Sequence, residues 1–180
     1  MNAKKLADLT RKELRTEMLK STLVVLAFCI CAIGIFYLIP FNGMTTNSQA
    51  VLRIVLGIAL LILVIALLFR RIMTAPIPQL KAMEALVVVL VKFICLFAGT
   101  YLAISHLNSD AFTEPLTHTS SLYFTIVTFG TVGYGDLTAN SDFARILVSI
   151  QIILDFIFIA AIIRAFIAVA QLSLQKSQTE

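Results

Sequence analysis

Seven consecutive residues stand apart from the rest of the chain: Gly130-Thr131-Val132-Gly133-Tyr134-Gly135-Asp136. Gly133 and Gly135 accept left-handed dihedrals with no Cβ penalty, which lets several consecutive carbonyls point the same way. Such a row of oxygens has the Thr131 hydroxyl at one end and the Asp136 carboxylate at the other. It can replace the water around a desolvated cation. The same residues offer a second chemistry, because Gly133-Tyr134-Gly135-Asp136 reads as Gly-x-Gly-Asp, and a carboxylate so placed can share a proton with a close partner. Further polar side chains interrupt otherwise apolar sequence, among them Lys92, Gln151 and Asp155.

The elements that position these groups follow from composition. Of the 180 residues, 59% are apolar and 13% charged, against roughly 45–50% and roughly 25% in soluble domains. Mean hydropathy is +0.97. A soluble domain of this length cannot hide so much apolar surface. Seven glycines, four prolines and three cysteines exclude collagen-like, disordered and disulfide-framework classes. Cys29, Cys31 and Cys95 read as small buried hydrophobes. The chain is therefore expected to be an integral membrane protein. Apolar segments 21–39, 51–69, 85–105 and 143–170 each approach or exceed the roughly 20 residues that cross about 30 Å of hydrocarbon.

The net charge of +4 sits in the connections. Lys4, Lys5, Arg11, Lys12, Arg15 and Lys20 precede the first segment, and Arg70, Arg71 and Lys81 lie between the second and third; 40–50 and 106–142 contain no Lys or Arg. The positive-inside rule then predicts a multi-pass protein of the cell membrane with both termini cytoplasmic and no nucleic-acid partner. The expected organisation is a basic segment over 1–20, a tight helical hairpin over 21–74, a core domain over 84–170 and a tail over 171–180 too short for a sensing domain. Ala75-Pro76-Ile77-Pro78 reads as a stiff break before the third span.

Within the long external connection, 119–128 reads as a short helix opened by Ser/Thr caps. It cannot cross a bilayer, and it can dip in only if the irregular backbone beside it is buried in protein or lines a water-filled cavity. Thr131-Val132-Gly133-Tyr134-Gly135, directly after such a helix and between two spans, strongly resembles the selectivity filter of potassium channels, and 85–170 resembles their pore domain. The resemblance implies an all-α membrane protein with four transmembrane helices per chain, a re-entrant pore helix and a filter loop, assembled as a fourfold-symmetric homotetramer. It implies K+ as the permeant and bound ion along Thr131, Val132, Gly133, Tyr134 and Gly135, Asp136 at the outer mouth, no other cofactor and no catalysis. Tyr134 is expected behind the filter, near Tyr123 and Phe124. Gly130 departs from the hydroxyl residue that many relatives carry there. The first two spans hold one charge, Arg53, too few for a voltage sensor.

The intramembrane charges admit two placements. At about 100° per residue Gln151 lies about 40° from Asp155, so the two form one polar stripe. Facing the cavity, that stripe would concentrate K+ and invite block by internal Mg²⁺ or polyamines. Alternatively Asp155 pairs with Lys92, which lies at a comparable height on the outer helix. Arg164 is expected to snorkel, Gly57 and Gly99 to sit at close helix contacts, and His106 and His118 to be solvated loop residues. Lipids are expected partners of the whole. Three rival readings remain. An intramembrane aspartyl protease using Asp136 and Asp155 would want a Tyr-Asp pair, and Leu154 precedes Asp155. A non-selective cation channel usually replaces the filter tyrosine. The third rival is a non-conducting regulatory subunit.

Overall fold

The computed structural model describes residues 11–40, 47–74 and 78–177. The Lys4 and Lys5 positions, most of the turn after Pro40, the Ala75-Pro76-Ile77 break and the last three residues lie outside the described residues. Among the described residues five α-helices follow in order: α1 (Arg11–Leu38), α2 (Asn47–Met73), α3 (Pro78–Leu107), the short α4 (His118–Phe129) and α5 (Asp142–Ser177). A 3-10 turn, Ser109–Ala111, joins α3 to the segment before α4. Among the described residues there is no strand, only an isolated antiparallel bridge between Phe112 and Ala139.

Among the described residues three helical stretches are long and apolar enough to cross a membrane: Asn47–Met73, Lys81–Leu107 and Asp142–Ile167. The apolar part of α1, Thr22–Leu38, is shorter. Rows of exposed Leu, Ile, Val and Phe along α1, α2 and α5 have no place in water, and the protein is a membrane protein.

α3 is the hub, packing against α1, α2, α4 and α5. Sequence led us to expect a tight hairpin from the first two helices, and the structure corrects this: α1 and α2 each lean on α3 and scarcely touch each other. The physical reason lies in the small and flexible residues at these contacts. A Cβ added at Gly57 would come within 2.7 Å of Leu96 Cδ1, so α2 approaches α3 closely there. α1 docks its outer end on α4 instead. The His118 ring stacks on Tyr37 at 5.9 Å and meets Phe36 edge-on at 5.4 Å, its Nε2 lies 3.1 Å from the Ile39 carbonyl oxygen, and the Tyr37 and Thr119 hydroxyls are 3.3 Å apart. His118 is thus a joint between α1 and α4 rather than the solvated residue expected.

Two aromatic clusters tie α3, α4 and α5 together. Tyr101, Phe112 and Phe124 meet edge-to-face at 5.2–5.8 Å. Phe93, Phe129 and Phe158 meet at 6.1–6.4 Å. These separations suit offset or T-shaped rings. Phe112 is 1% exposed and belongs to the bridge with Ala139, so it joins the loop before α4 to the loop after it. Phe112→Ala is expected to cost about 3–5 kcal/mol, read as a lower Tm of the purified protein; a change within a degree would show that the cluster does not hold the loops.

Candidate functional site

α4 begins where sequence placed it, to within two residues, and its cap explains why. Thr117 is the N-cap: Ser120 N–H donates to Thr117 Oγ1 at 3.1 Å, and Thr117 N–H donates to Ser120 Oγ at 2.7 Å. Two otherwise orphaned donors are satisfied reciprocally. At the other end the departing chain closes the helix. Gly130 N–H donates to Ile126 O at 2.8 Å, Thr131 N–H to Thr128 O at 2.9 Å and Val132 N–H to Val127 O at 3.0 Å. A Cβ at Gly130 would lie 3.2 Å from Ile126 O, a tight approach that accounts for glycine at this position.

Beyond this turn the backbone alternates. Thr131, Gly133 and Gly135 have φ of +54°, +56° and +81°, while Val132 and Tyr134 between them keep negative φ. Successive carbonyls of an extended chain point to opposite sides, whereas alternation of left- and right-handed residues turns like groups to one side. Sequence pointed to the two glycines and missed Thr131. A β-branched residue with positive φ is uncommon and costs of order 1–3 kcal/mol, so only the helix-end hydrogen bonds on either side of Thr131 signal it.

Thr131 through Asp136 are exposed in the single chain, with Tyr134 71% accessible. Tyr134 was expected behind the loop near Tyr123 and Phe124; in the single chain its side chain is exposed, close enough to Tyr123 to act on that phenol electrostatically.

Asp136 is held at the outer end of the loop. The Tyr123 hydroxyl donates to Oδ2 at 2.7 Å and Leu137 N–H donates to Oδ1 at 3.0 Å. The Tyr123 hydrogen bond, helped by backbone N–H groups, keeps the carboxyl below its ordinary value against a smaller opposing desolvation. A carboxyl depressed in the fold contributes stability above its unfolded pKa and loses it as pH falls through the folded value. The loop therefore weakens only at pH below the ordinary carboxylate range. Tyr123→Phe is expected to move Asp136 titration upward, followed by carboxyl ¹³C NMR; an unmoved titration would show that the hydroxyl does not set it.

Gln151 and Asp155 share one stripe, as their spacing implied, but the stripe faces inward. Gln151 is fully buried and Asp155 1% exposed in the single chain. A side chain facing a central cavity would lie open here. Instead the Tyr101 hydroxyl donates to Gln151 Oε1 at 2.6 Å, and Gln151 Nε2 donates to the Thr125 carbonyl and to Asp155 Oδ2, each at 3.3 Å. Asp155 Oδ1 has no hydrogen-bond partner. The cavity placement of Asp155 and Gln151 is therefore corrected: the polar stripe is taken up by α3 and α4. The alternative pair with Lys92 is not formed either, since Lys92 lies on the side of α3 that meets α1, its Nζ 6.0 Å from the Phe28 ring centre. Tyr101 is the partner that sequence reasoning missed, its only signal a phenol within an apolar span. Asp136 and Asp155 are also apart in their surroundings, the first tied to Tyr123 at the exposed loop and the second buried beside Gln151, so the shared-proton chemistry of two carboxylates has no geometry here. With Asp155 turned inward, internal spermine or Mg²⁺ is expected to act alike on the protein and on Asp155→Asn in excised patches; block of the protein that the variant relieves severalfold would return the carboxylate to the cavity.

Among the described residues no cluster of three His, Cys, Asp or Glu side chains is placed to hold a metal. Residues 86–171 match a family model described as "Ion channel". No curated protein and no solved structure matches the chain. The family match runs from α3 through α4 and the 130–136 loop into α5, and it supports an ion channel formed by these elements.

Proposed function

We propose that this protein is a potassium channel whose filter is the 131–135 segment, four copies of which surround one axis. The observation that carries the reading is the alternation of positive φ at Thr131, Gly133 and Gly135 directly after a short capped helix. Such backbone presents a column of carbonyl oxygens, and rings of carbonyls can replace the hydration shell of K+. One chain supplies one side of such a column. A closed fourfold ring would supply the rest, and it would cover the exposed Val132 and Tyr134 side chains with neighbouring copies.

The remaining parts take roles that agree with this reading. α4 serves as the pore helix, its C-terminal end directed toward the ion path, where the partial negative charge favours a cation. α3 and α5 serve as outer and inner helices. Asp136 adds negative charge at the outer mouth, and α1 completes a fourth span. The basic residues near Arg11 and Arg70 support an orientation with both termini on the cytoplasmic side of the cell membrane.

The test uses purified protein in liposomes under opposed K+ and Na+ gradients. A reversal potential near that of K+ supports the proposal, and one midway between the two ions overturns selectivity in favour of a non-selective cation channel. Gly133→Ala places a Cβ on left-handed backbone at about 1–2 kcal/mol per copy. It is expected to lower K+ flux or its preference over Na+ at least tenfold; unchanged selectivity would remove 131–135 as the filter.

A further inference from the structure

Because α1 and α2 lean on α3 without packing on each other, a groove floored by α3 runs between them. Its outer part is a cavity of about 280 Å³ bounded by Phe36 of α1, Leu60 of α2, and Leu96 and Thr100 of α3. Its inner part is a second cavity of about 230 Å³ beside Phe28. Lys92 lines the outer cavity and reaches toward Phe28 at the start of the inner one.

Lys92 lies eleven residues into the apolar span Lys81–Leu107, ~17 Å from its cytoplasmic end by helical rise and close to the middle of a hydrocarbon core about 30 Å thick. Among the described residues no carboxylate pairs with it. The carboxylate that bounds the groove, Glu84, is held by Lys81 at 2.8 Å. The Phe28 ring face offsets only part of the cost of an ammonium at this depth. Arg53 also lines the outer cavity, and Arg71 and Lys81 line the inner one; between them, at mid-depth of an apolar trough, stands the half-buried Lys92, with no carboxylate partner among the described residues.

We propose that this groove binds a fatty acid, its carboxyl group paired with Lys92 and its single hydrocarbon chain lying in the outer cavity. Depth and size select this class. A phospholipid phosphate stays charged and remains in the headgroup layer, whereas a carboxylic acid can take up a proton and enter hydrocarbon uncharged. Bound beside the amine form of Lys92, the acid passes its proton to Nζ; beside the ammonium form, its proton leaves to water. Both routes end in a carboxylate–ammonium pair of zero net charge. The cavity volume is at the small end of ligand sites, roughly 300–1,000 Å³, which suits one chain rather than two. Binding here would couple the membrane's free fatty acids to α3, the helix on which the rest of the fold leans.

The experiment labels the purified full-length protein with a diazirine-bearing palmitic acid and maps the adducts by peptide mass spectrometry, a readout that does not depend on ion conduction. Labelling is expected on α1, α2 and α3 around Lys92, competed by palmitic acid but not by 1-hexadecanol. Lys92→Gln is expected to reduce labelling at least tenfold and Lys92→Arg to retain it. Leu60→Trp, which narrows the cavity and leaves Lys92 in place, is expected to reduce it as well and decides the matter if Lys92→Gln fails to fold. Undiminished labelling in Lys92→Gln or Leu60→Trp, equal competition by the alcohol, or equal displacement by phosphatidylglycerol would each overturn the proposal.

Discussion

Backbone without regular structure at membrane depth must still satisfy its N–H and C=O groups, and the rest of this fold is arranged around that requirement. From Gly130 to Ser141 the chain has neither helix nor strand. Its inner end is tied to the last carbonyls of α4. Its outer end is laced to the segment before α4: Thr113 N–H donates to Thr138 O at 3.0 Å, Asn140 N–H to Ala111 O at 2.8 Å and Thr138 N–H to Thr113 Oγ1 at 3.1 Å. Ser141 then caps α5 through Ala144 N–H, and Arg145 Nε donates to Ala139 O at 3.0 Å. The inner anchors use the N–H groups of 130–132 and not their carbonyls, so 131–135 is left to present its acceptors elsewhere. A channel filter needs such a segment, held at both ends with its acceptors unspent.

The anchors would drift if α4 were not itself fixed. Gln151 does this from α5 by donating to the Thr125 carbonyl while accepting from Tyr101 of α3, so one side chain joins three helices. One aromatic cluster, Phe93, Phe129 and Phe158, comes from the same three helices, and the other, Tyr101, Phe112 and Phe124, from α3, α4 and the loop before it. In so buried a polar layer a satisfied hydrogen bond gains strength and an unmade one costs about 1–3 kcal/mol. The layer therefore fixes the relative height of α3, α4 and α5 more sharply than apolar contacts alone, which tolerate sliding.

Much of this was legible in the sequence, and the misses have physical causes. The α4 cap, the positive φ at Gly133 and Gly135, and the shared stripe of Gln151 and Asp155 are all local, set by residues within a few positions of one another. What sequence left open was which neighbour a stripe faces. A period of about 100° fixes the angle between Gln151 and Asp155, but it says nothing about where α3 and α4 stand, and Tyr101, fifty residues away, decides it. Thr131 was missed for a different reason. Propensity assigns left-handed backbone to glycine, and the helix-end hydrogen bonds override it. The close pairing expected of α1 and α2 followed from a short connection. In lipid, apolar helices gain little from burying each other, and the small residues at α2–α3 contacts prevail.

The separation of Lys92 from Asp155 has a mechanical consequence. Each is costly inside the membrane, about 2.5–3.5 kcal/mol at a helix centre, and pairing them would offset both charges while locking α5 to α3. The fold does not take that route. Asp155 accepts a hydrogen bond from Gln151 of its own helix and keeps one oxygen without a partner, and Lys92 turns to the opposite flank. α5 is thus held to α3 and α4 through Gln151 and the rings of Phe93, Phe129 and Phe158, and not through an ion pair. The intramembrane charge left on the outer flank of α3 is then free to answer to the lipid.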